Sequence, residues 1–526
     1  MKTAPVENVI IPASLGGRDI RDQPSNSKSN PPEQPIDLDA LYAHVLGKVG
    51  PRLSCQGSKI FQVFQHWQSY QKKRDVLREY FPNICSTNLS FAFEDDQSHH
   101  LIASNNPLSA SEICERRDKV GSWLENCCGG LIEFCSEDLT LTKKDSHDVG
   151  TPESVNSGNR RIQYAHDSVL QYLTKLEIWS EIVKKNTDED FTVEHAVLKS
   201  LVLQIKTWTS PAGRREIGCP WDLILSTLRY ASYAEQKLGR AQTTLLDELD
   251  KSVSEHFHQR VQAKPQPRYN GRPLFPDSHW SEFWPTDFQR SLRWRDTFLA
   301  LAIRHNLHHY AAAKLASHGA AAAATVATAI TQKPGRPLLS YTFFPVLGNF
   351  LVDPALVALL LAHGADPNAP FDNSSPWQDF LRYLMENSYQ ATAKAHTKRA
   401  SDIAELLLAH GADPHAECDF FQISEDIPRV CSAIDVVQRV FMDEAAEVRV
   451  GLQLQRVLLQ RQQTVSNAQE TLRRIQREKS GEDVGRDERL AQFESGLEEG
   501  GKKPEERPVA TKSRWRLFPR KLSAVR

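Results

Sequence analysis

LLLAHGADP, at residues 359–367, is repeated without change at residues 406–414, 47 residues later. A weaker copy, KLASHGA at 314–320, lies 45 residues upstream of the first. A helix end that recurs every few tens of residues is typical of repeat proteins, in which each unit buries its apolar face against the next. The repeated stretch therefore predicts that the second half of the chain is an α-solenoid.

The residues around the first copy predict a short helix that ends in a turn. Asp353 can cap the helix, and Pro354 suits its first position, where a missing N–H costs nothing. Residues 355–363 are then an apolar helix, which Gly364 can close in the left-handed conformation. Asp366 can hydrogen-bond its own backbone and start a turn before the next proline. We therefore interpret the repeated stretch as a structural helix end, not as an active site.

Upstream of these helix ends lie segments that resemble ankyrin repeats. TFLALA at 297–302 follows the ankyrin pattern T-P-L-H-x-A at its Thr, Leu and Ala positions. Looser versions follow at 337–339 and 375–378. In the last of these, Ser375 and Gln378 have the spacing of a capping box, which predicts a helix start there.

The ankyrin resemblance also implies a binding surface. Spacings of 45 and 47 residues exceed the usual ankyrin period of about 33, which predicts insertions at 320–333 and 382–399. Stacked units of this kind expose an extended concave face that can bind a protein partner. Phe371, Trp377 and Tyr383 are candidate anchors because aromatic side chains carry much interface energy. Packing between repeats is their alternative role.

Composition limits the classes of function. The 526 residues contain 64 Lys and Arg against 66 Asp and Glu, so a net charge of −2 predicts no nucleic-acid partner. Nine cysteines at irregular spacing, none in a CxxC pair, favour reduced thiols inside the cell. The most apolar stretch, 319–330, is too short to cross a bilayer, and the first residues do not resemble a signal peptide. We expect a protein of the cytoplasm or nucleus.

The first half carries an ordered series of motifs that resembles a known family. It is similar to the region after the NTPase module in filamentous-fungal NACHT proteins, which are NOD-like receptors of the signal-transducing ATPase class. The matching segments are Asp37–Leu46, Leu89–Asp95, Cys128–Glu133 and Ile162–Leu173, followed by 197–206, 228–231 and 244–250. The resemblance implies a winged-helix-like unit in which a buried strand, a loop and a second strand lead into a helix.

A NACHT protein needs a Walker A loop, whose backbone amides bind the nucleotide phosphates. The nearest match, Gly50 with Gly57-Ser58-Lys59, has six intervening residues instead of four. The NACHT resemblance implies that His166 would sense ADP, although Gln171 replaces an acidic residue of the family pattern. A structural histidine at the strand–helix junction is the alternative. We expect no bound cofactor or metal and no catalytic residue.

These observations predict a mainly α chain, a winged-helix-like and helical domain followed by an ankyrin-like α-solenoid, with disordered termini. The expected segments are a disordered N-terminus at 1–35, the winged-helix-like domain at 36–180, a helical layer at 190–260, a linker at 261–289, repeats with a cap at 290–450, a long or coiled-coil helix at 451–478 and a charged tail at 479–526. Leu458, Val465 and Leu472 lie seven residues apart, but Arg461 interrupts the apolar pattern, so a solvated helix is the alternative.

The expected function is that of a non-catalytic protein-interaction protein, the ankyrin-repeat part of a fungal NOD-like receptor without its NTPase module. The alternative is a nucleotide-dependent switch whose NTPase module lies upstream or in another chain. The basic stretch 512–521 contains interleaved Trp515 and Phe518, and it could contact an anionic surface or remain a solvated tail.

Overall fold

The structure of the protein is a computed structural model. The chain forms two compact units, residues 1–238 with 244–276 and residues 239–243 with 277–526. The described residues are 37–96, 105–135, 159–208, 220–262, 268–269, 272–273, 279–283, 296–316, 335–344, 353–386, 394–420, 429–441, 450–451, 453–460 and 462–476. The described chain is mainly helical with a few short strands, which confirms the predicted mainly α class. The N-terminus 1–35, the insertion 320–333 and the tail 512–521 lie outside the described residues.

The first unit is a set of packed helices with a small antiparallel strand pair. Its elements are α1 Leu38–Gly47, α2 Pro51–Val76, α3 Ser86–Ala92, α4 Ala110–Asn126, β1 Ile132–Phe134, β2 Ile162–Tyr164, α5 Asp167–Leu173, α6 Leu176–Lys184, α7 Val193–Lys206, α8 Trp221–Leu238, α9 Thr243–Gln262, β3 Arg268–Tyr269 and β4 Arg272–Pro273. Strands β3 and β4 form a separate antiparallel pair.

Local signals explain where several of these helices begin. The Asp37 carboxylate accepts hydrogen bonds from the backbone N–H groups of the first turn of α1. Helix α2 begins with Pro51, which lacks only an N–H that would have no partner within the helix. Helix α4 begins with a capping box, in which the Ser109 hydroxyl accepts from the Glu112 N–H and the Glu112 carboxylate accepts from the Ser109 N–H.

The strand pair follows the order expected from the sequence. Ile132 pairs with Tyr164, Phe134 pairs with Ile162, and α5 follows β2 directly. The two ends of the connection between the strands lie next to each other, because the Cys135 N–H donates to the Arg161 carbonyl at 2.8 Å. The element order of helix, strand pair and helix is therefore the one predicted for the winged-helix-like unit.

Helix α7 is the centre of the first unit. Every residue from Val197 to Leu203 is buried, and the helix packs against α2, α3 and α8. The Ser200 hydroxyl donates to the Asn88 carbonyl at 2.7 Å, which satisfies a polar group in this core. The buried Lys206 ammonium is paired with Glu248. Neighbouring helices surround this helix, so its polar side chains as well as its apolar ones are buried.

The second unit contains the repeated helix ends. Its elements are a 3₁₀ helix at Trp280–Phe283, α10 Phe298–Arg304, α11 His308–Ala316, a 3₁₀ helix at Leu338–Phe343, α12 Pro354–Ala362, α13 Pro376–Glu386, α14 Lys394–Ala409, β5 Glu417–Phe420, β6 Arg429–Ser432, α15 Ala433–Val440, and helical residues at 450–451, 453–460 and 462–476. Trp280 is 1% exposed and its ring lies 6.0 Å from that of Phe298, so it covers the start of this unit.

The structure confirms the local prediction for the repeated stretch. The Asp353 carboxylate accepts from the Ala355 N–H at 2.9 Å, and Pro354 is the first helical residue. Gly364 and Gly411 close the two helices with φ of +85° and +86°, a conformation that favours glycine. The equivalent turns that follow are therefore built in the same way in both copies.

Two expectations for the first helix of each unit need correction. Residues Leu338–Phe343 form a 3₁₀ helix, not the α-helix that the ankyrin resemblance implies, and this is common for segments of only one or two turns. The predicted capping box at α13 is only half formed. The Ser375 hydroxyl accepts from the Gln378 N–H at 3.3 Å, but the Gln378 amide donates to the Glu417 carbonyl at 2.7 Å.

The helix after α15 begins in the core, where Leu454 and Val457 are buried, and its later part is solvated in the single chain. All residues from 462 to 476 are exposed, including Val465 at 56% and Leu472 at 59%. A coiled coil would require a partner helix against these side chains. Within the described residues, no helix combines the length and hydropathy that a membrane-spanning segment requires.

Candidate functional site

A polar cleft of about 500 Å³ lies on the first unit, between α2, α6 and the start of α7. One wall is a face of α2 that carries Gln62, Gln65, His66 and Ser69. These residues are spaced i, i+3, i+4 and i+7, so a single helix presents all four side chains on one face. The other wall consists of Trp179 and Val183 of α6 and of residues 191–194.

The start of α7 leaves polar groups in this cleft. Thr192 is the N-cap residue, but its side chain makes no capping hydrogen bond. The Thr192 hydroxyl is buried and has no hydrogen-bond partner among the described residues. Two positions further, the Glu194 carboxylate forms no hydrogen bond or ion pair with any described residue. A side chain at the start of a helix usually accepts a hydrogen bond from the free backbone N–H groups there. At the start of α7, the oxygens of Thr192 and Glu194 make no such bond.

The wall formed by α2 adds further acceptors. The buried Gln65 Oε1 has no hydrogen-bond partner in the described part of the chain. The Gln62 side chain donates from Nε2 to the Ser58 hydroxyl at 3.0 Å. Its side-chain carbonyl oxygen is then the group that can accept a hydrogen bond from a ligand. Leaving a buried acceptor without a donor costs about 1–3 kcal/mol. The cleft therefore concentrates oxygens that lack donors.

His66 connects the cleft to an aromatic cluster beneath it. Its Nε2 lies 2.8 Å from the Tyr230 hydroxyl, and its ring centroid lies 5.8 Å from that of Tyr233 and 6.5 Å from that of Tyr70. Burial lowers the pKa of His66 below its usual value, and Glu194 opposes this effect. Burial also raises the pKa of Tyr230 well above its usual value. Both groups are therefore uncharged at neutral pH.

The groups that line the cleft can form hydrogen bonds and apolar contacts with a ligand. The oxygens of the cleft can accept hydrogen bonds, and its aromatic wall offers an apolar surface. His66 is held by a tyrosine rather than by a carboxylate and a nucleophile, which is not the arrangement of a catalytic triad. In the described ranges, no group of three or more His, Cys, Asp or Glu residues is placed to hold a metal ion.

The structure places the predicted nucleotide sensor His166 at the junction of β2 and α5. Its Nδ1 accepts from the Ser168 N–H at 3.1 Å and lies 2.6 Å from the Ser168 hydroxyl, which in turn lies 2.6 Å from the Tyr42 hydroxyl. His166 therefore caps α5, the structural role that the sequence offered as the alternative. Because Nδ1 accepts the backbone proton, the neutral ring carries its own proton on Nε2.

The three predicted interaction anchors have different environments. Trp377 is fully buried and its Nε1 donates to the Asp413 carbonyl at 2.8 Å. Tyr383 is 5% exposed within the same apolar core. Phe371 is partly exposed beside a tight turn, where it pairs with Ser374. Only Phe371 is therefore placed to reach a partner in this conformation.

Sequence reasoning missed the cleft. The signal was present on α2, where glutamine, histidine and serine recur at helical spacing along one face of a helix whose other faces supply Ile60, Phe64 and Trp67 to the core. The opposite wall comes from residues more than a hundred positions later, and no local pattern brings these together.

The first unit matches a known protein family over part of its length. A family model described as "Domain of unknown function (DUF7791)" matches residues 48–215, which is less than half of the chain. No curated protein and no solved structure matches. The matched range includes α2 to α7, and every residue that lines the cleft lies inside it. The cleft is thus a feature of the segment that resembles a family of unknown function.

Proposed function

We propose that this chain is a non-catalytic protein-interaction protein, whose second unit is an ankyrin-like scaffold for a protein partner. The observation that supports this most directly is the bonding between the two copies of the repeated stretch. The Asn368 amide donates to the Gly411 carbonyl at 2.7 Å, and its oxygen accepts from the Asp413 N–H at 2.8 Å. The Asn368 side chain, which follows the first copy, therefore forms hydrogen bonds to the backbone of the second copy at Gly411 and Asp413.

Helix α13 also forms side chain–backbone hydrogen bonds to the segment that follows the second copy. Besides the bond from Trp377, the Gln378 amide donates to the Glu417 carbonyl, and the Arg382 guanidinium donates to the Asp419 carbonyl at 3.1 Å. One continuous apolar core runs beneath these contacts from α10 to the helix after α15. Units that are tied to each other by side chain–backbone bonds can hold their exposed turns in fixed positions, which suits partner recognition.

The turn at residues 371–374 is the candidate contact surface. Asp372 and Asn373 are exposed and have positive φ of 51° and 63°, so the turn is held in a conformation that non-glycine residues seldom adopt. Phe371 lies at its base and remains partly exposed. An aromatic side chain beside a rigid exposed turn is a suitable interface anchor.

The test places a photo-crosslinking phenylalanine at position 371 of the full chain and, as a control, at the exposed Glu470. We expect a discrete covalent adduct in the source cells from position 371 and none from position 470. Substitution of the neighbouring Asp372 by Lys should reduce the yield of that adduct. Equal labelling at both positions would contradict the proposal.

A nucleotide-dependent switch is the second candidate. The domain family matched at residues 48–215 is typical of fungal NACHT-associated proteins. His166 is exposed, and its Nε2–H has no acceptor among the described residues, so it could donate to a phosphate oxygen. This function requires His166 to act together with an NTPase module.

Calorimetry separates the two candidates. Titration of ADP and ATP into the full chain should produce no binding heat if the chain acts only as an interaction protein. Saturable nucleotide binding that is lost in His166→Ala but kept in Asp167→Asn would instead favour the switch. Asp167 is a suitable control because it is also exposed and lies next to His166 on α5.

A further inference from the structure

We propose that the cleft on the first unit binds a cationic nitrogen group, the ammonium or guanidinium of a lysine or arginine side chain or of a small amine. This goes beyond the proposed scaffold function, because every lining residue belongs to the first unit and none to the repeats.

The balance of donors and acceptors points to a donor-rich ligand. Gln65 Oε1 and the Thr192 hydroxyl are buried without partners in the described chain, and the Glu194 carboxylate is half-buried without a partner there. An ionised carboxylate and an amide oxygen can only accept hydrogen bonds. A ligand that carries N–H donors can satisfy both of these acceptors and the Thr192 hydroxyl, whereas an anion could accept a hydrogen bond only from the Thr192 hydroxyl and would leave the two acceptors unsatisfied.

The charge distribution points to the same ligand. Glu194 is the charged residue that lines the cleft, and the lowered pKa of His66 keeps that ring neutral. The nearby Lys59 is already paired, because its ammonium lies 2.5 Å from the Asp188 carboxylate. Lys73 and Lys237 act on the His66 ring but do not line the cleft. A positive group that enters therefore meets one uncompensated negative charge.

The aromatic wall suits a cation as well. Trp179 and Phe191 line the cleft opposite α2. The Phe191 ring already accommodates the Lys59 ammonium 5.1 Å from its centroid, which shows that a cation is accepted in this environment. The Trp179 indole offers a second ring, and tryptophan is the aromatic residue that binds cations best.

The test measures binding of small probes to the full chain by saturation-transfer NMR and calorimetry. The charged probes are N-acetyl-arginine methylamide and N-acetyl-lysine methylamide, and the uncharged control is N-acetyl-citrulline methylamide. Methylguanidine and butylammonium report whether a bare cation suffices or whether the ligand is a residue of a polypeptide. We expect saturable binding of the charged probes at millimolar concentration, as is usual for a single side chain, and no binding of the citrulline probe.

Matched variants locate the site. Glu194→Gln should weaken binding of the charged probes by about tenfold, because it removes the charge and keeps the shape of the side chain. Glu125→Gln, at an exposed position on α4 outside the cleft, should leave binding unchanged. A urea midpoint for each variant confirms that the fold is intact. Equal binding of the arginine and citrulline probes, equal affinity in Glu194→Gln and the unchanged protein, or no binding of any charged probe would each overturn the proposal.

Discussion

Asp379→Asn should destabilise the second unit strongly, although it changes one side chain by only a few atoms. Asp379 is 4% exposed, and its carboxylate accepts from Arg336 at 2.7 Å, from Ser374 at 2.9 Å and from Arg382 at 3.2 Å. The Arg336 guanidinium is also buried, with its side chain 6% exposed. Asn keeps nearly the shape of the side chain but removes the negative charge that faces this buried cation.

The expected cost follows from the burial of both partners. Breaking a buried ion pair by removing one partner typically costs about 3–5 kcal/mol. A loss of this size in the opening free energy should increase amide exchange in α13 more than about 100-fold, since 1.36 kcal/mol corresponds to a factor of ten. Hydrogen-exchange mass spectrometry of residues 376–386 measures this change, and residues 51–76 of the first unit serve as the internal reference.

The matched control is Asp353→Asn in the same unit. Asp353 is an exposed N-cap, and asparagine caps a helix about as well as aspartate, so exchange should hardly change. Arg336→Met should cost about as much as Asp379→Asn, and the double variant should cost clearly less than the sum of the two. If exchange in α13 is the same in Asp379→Asn and Asp353→Asn, the ion pair does not stabilise this unit as argued.

Three further predictions concern single contacts. Asn368→Ala removes two hydrogen bonds to the next turn and should cost about 1–2 kcal/mol of stability. We expect faster amide hydrogen exchange around Asp413, and unchanged exchange there would show that Asn368 does not hold the two copies together. Ser109→Ala should destabilise the first unit by about 1 kcal/mol in urea denaturation, whereas Ser109→Asp should not. Because the pKa of His66 is lowered by burial, the unfolded chain binds its proton first, so stability should fall as pH drops below about 6.5. His66→Gln should reduce that fall when urea midpoints at pH 7.5 and 5.5 are compared, and an identical fall in both proteins would contradict the role of burial.

The pH prediction depends on the groups that face His66. Glu194 raises its pKa, whereas Lys73 and Lys237 add to the lowering by burial. Tyr70, Tyr230 and Tyr233 pack against the ring, and burial is the first cause of the raised pKa of each of them. These tyrosines therefore stay uncharged in the tested range and do not titrate with the histidine.

Features set by neighbouring residues were predictable from the sequence. The cap at Asp353, the helix start at Pro354 and the left-handed Gly364 each depend on a few consecutive residues, and the structure shows all three. The order of strand, strand and helix around residues 132–173 was also expected, because the motifs at Cys128–Glu133 and Ile162–Leu173 resemble those of a known family.

Features set by distant residues were not predictable. The sequence left two roles open for Trp377, surface anchor and packing between repeats, and could not decide between them because its burial depends on the distant Asp413 carbonyl that its indole N–H contacts. The 3₁₀ helix at Leu338–Phe343 reflects the packing of a short segment against the flanking helices, which overrides its local propensity. The cleft requires α2, α6 and α7 to meet, and this arrangement is decided by the whole core.

The closed ends of the connection between β1 and β2 make this segment a natural place for protein engineering. The hydrogen bond from the Cys135 N–H to the Arg161 carbonyl holds the two described ends of the connection together. Doubling the length of such a closed loop costs only about 0.6 kcal/mol in closure entropy. A peptide epitope or a small fluorescent reporter inserted between these residues would therefore label the protein while its helical core and its cleft continue to fold as before.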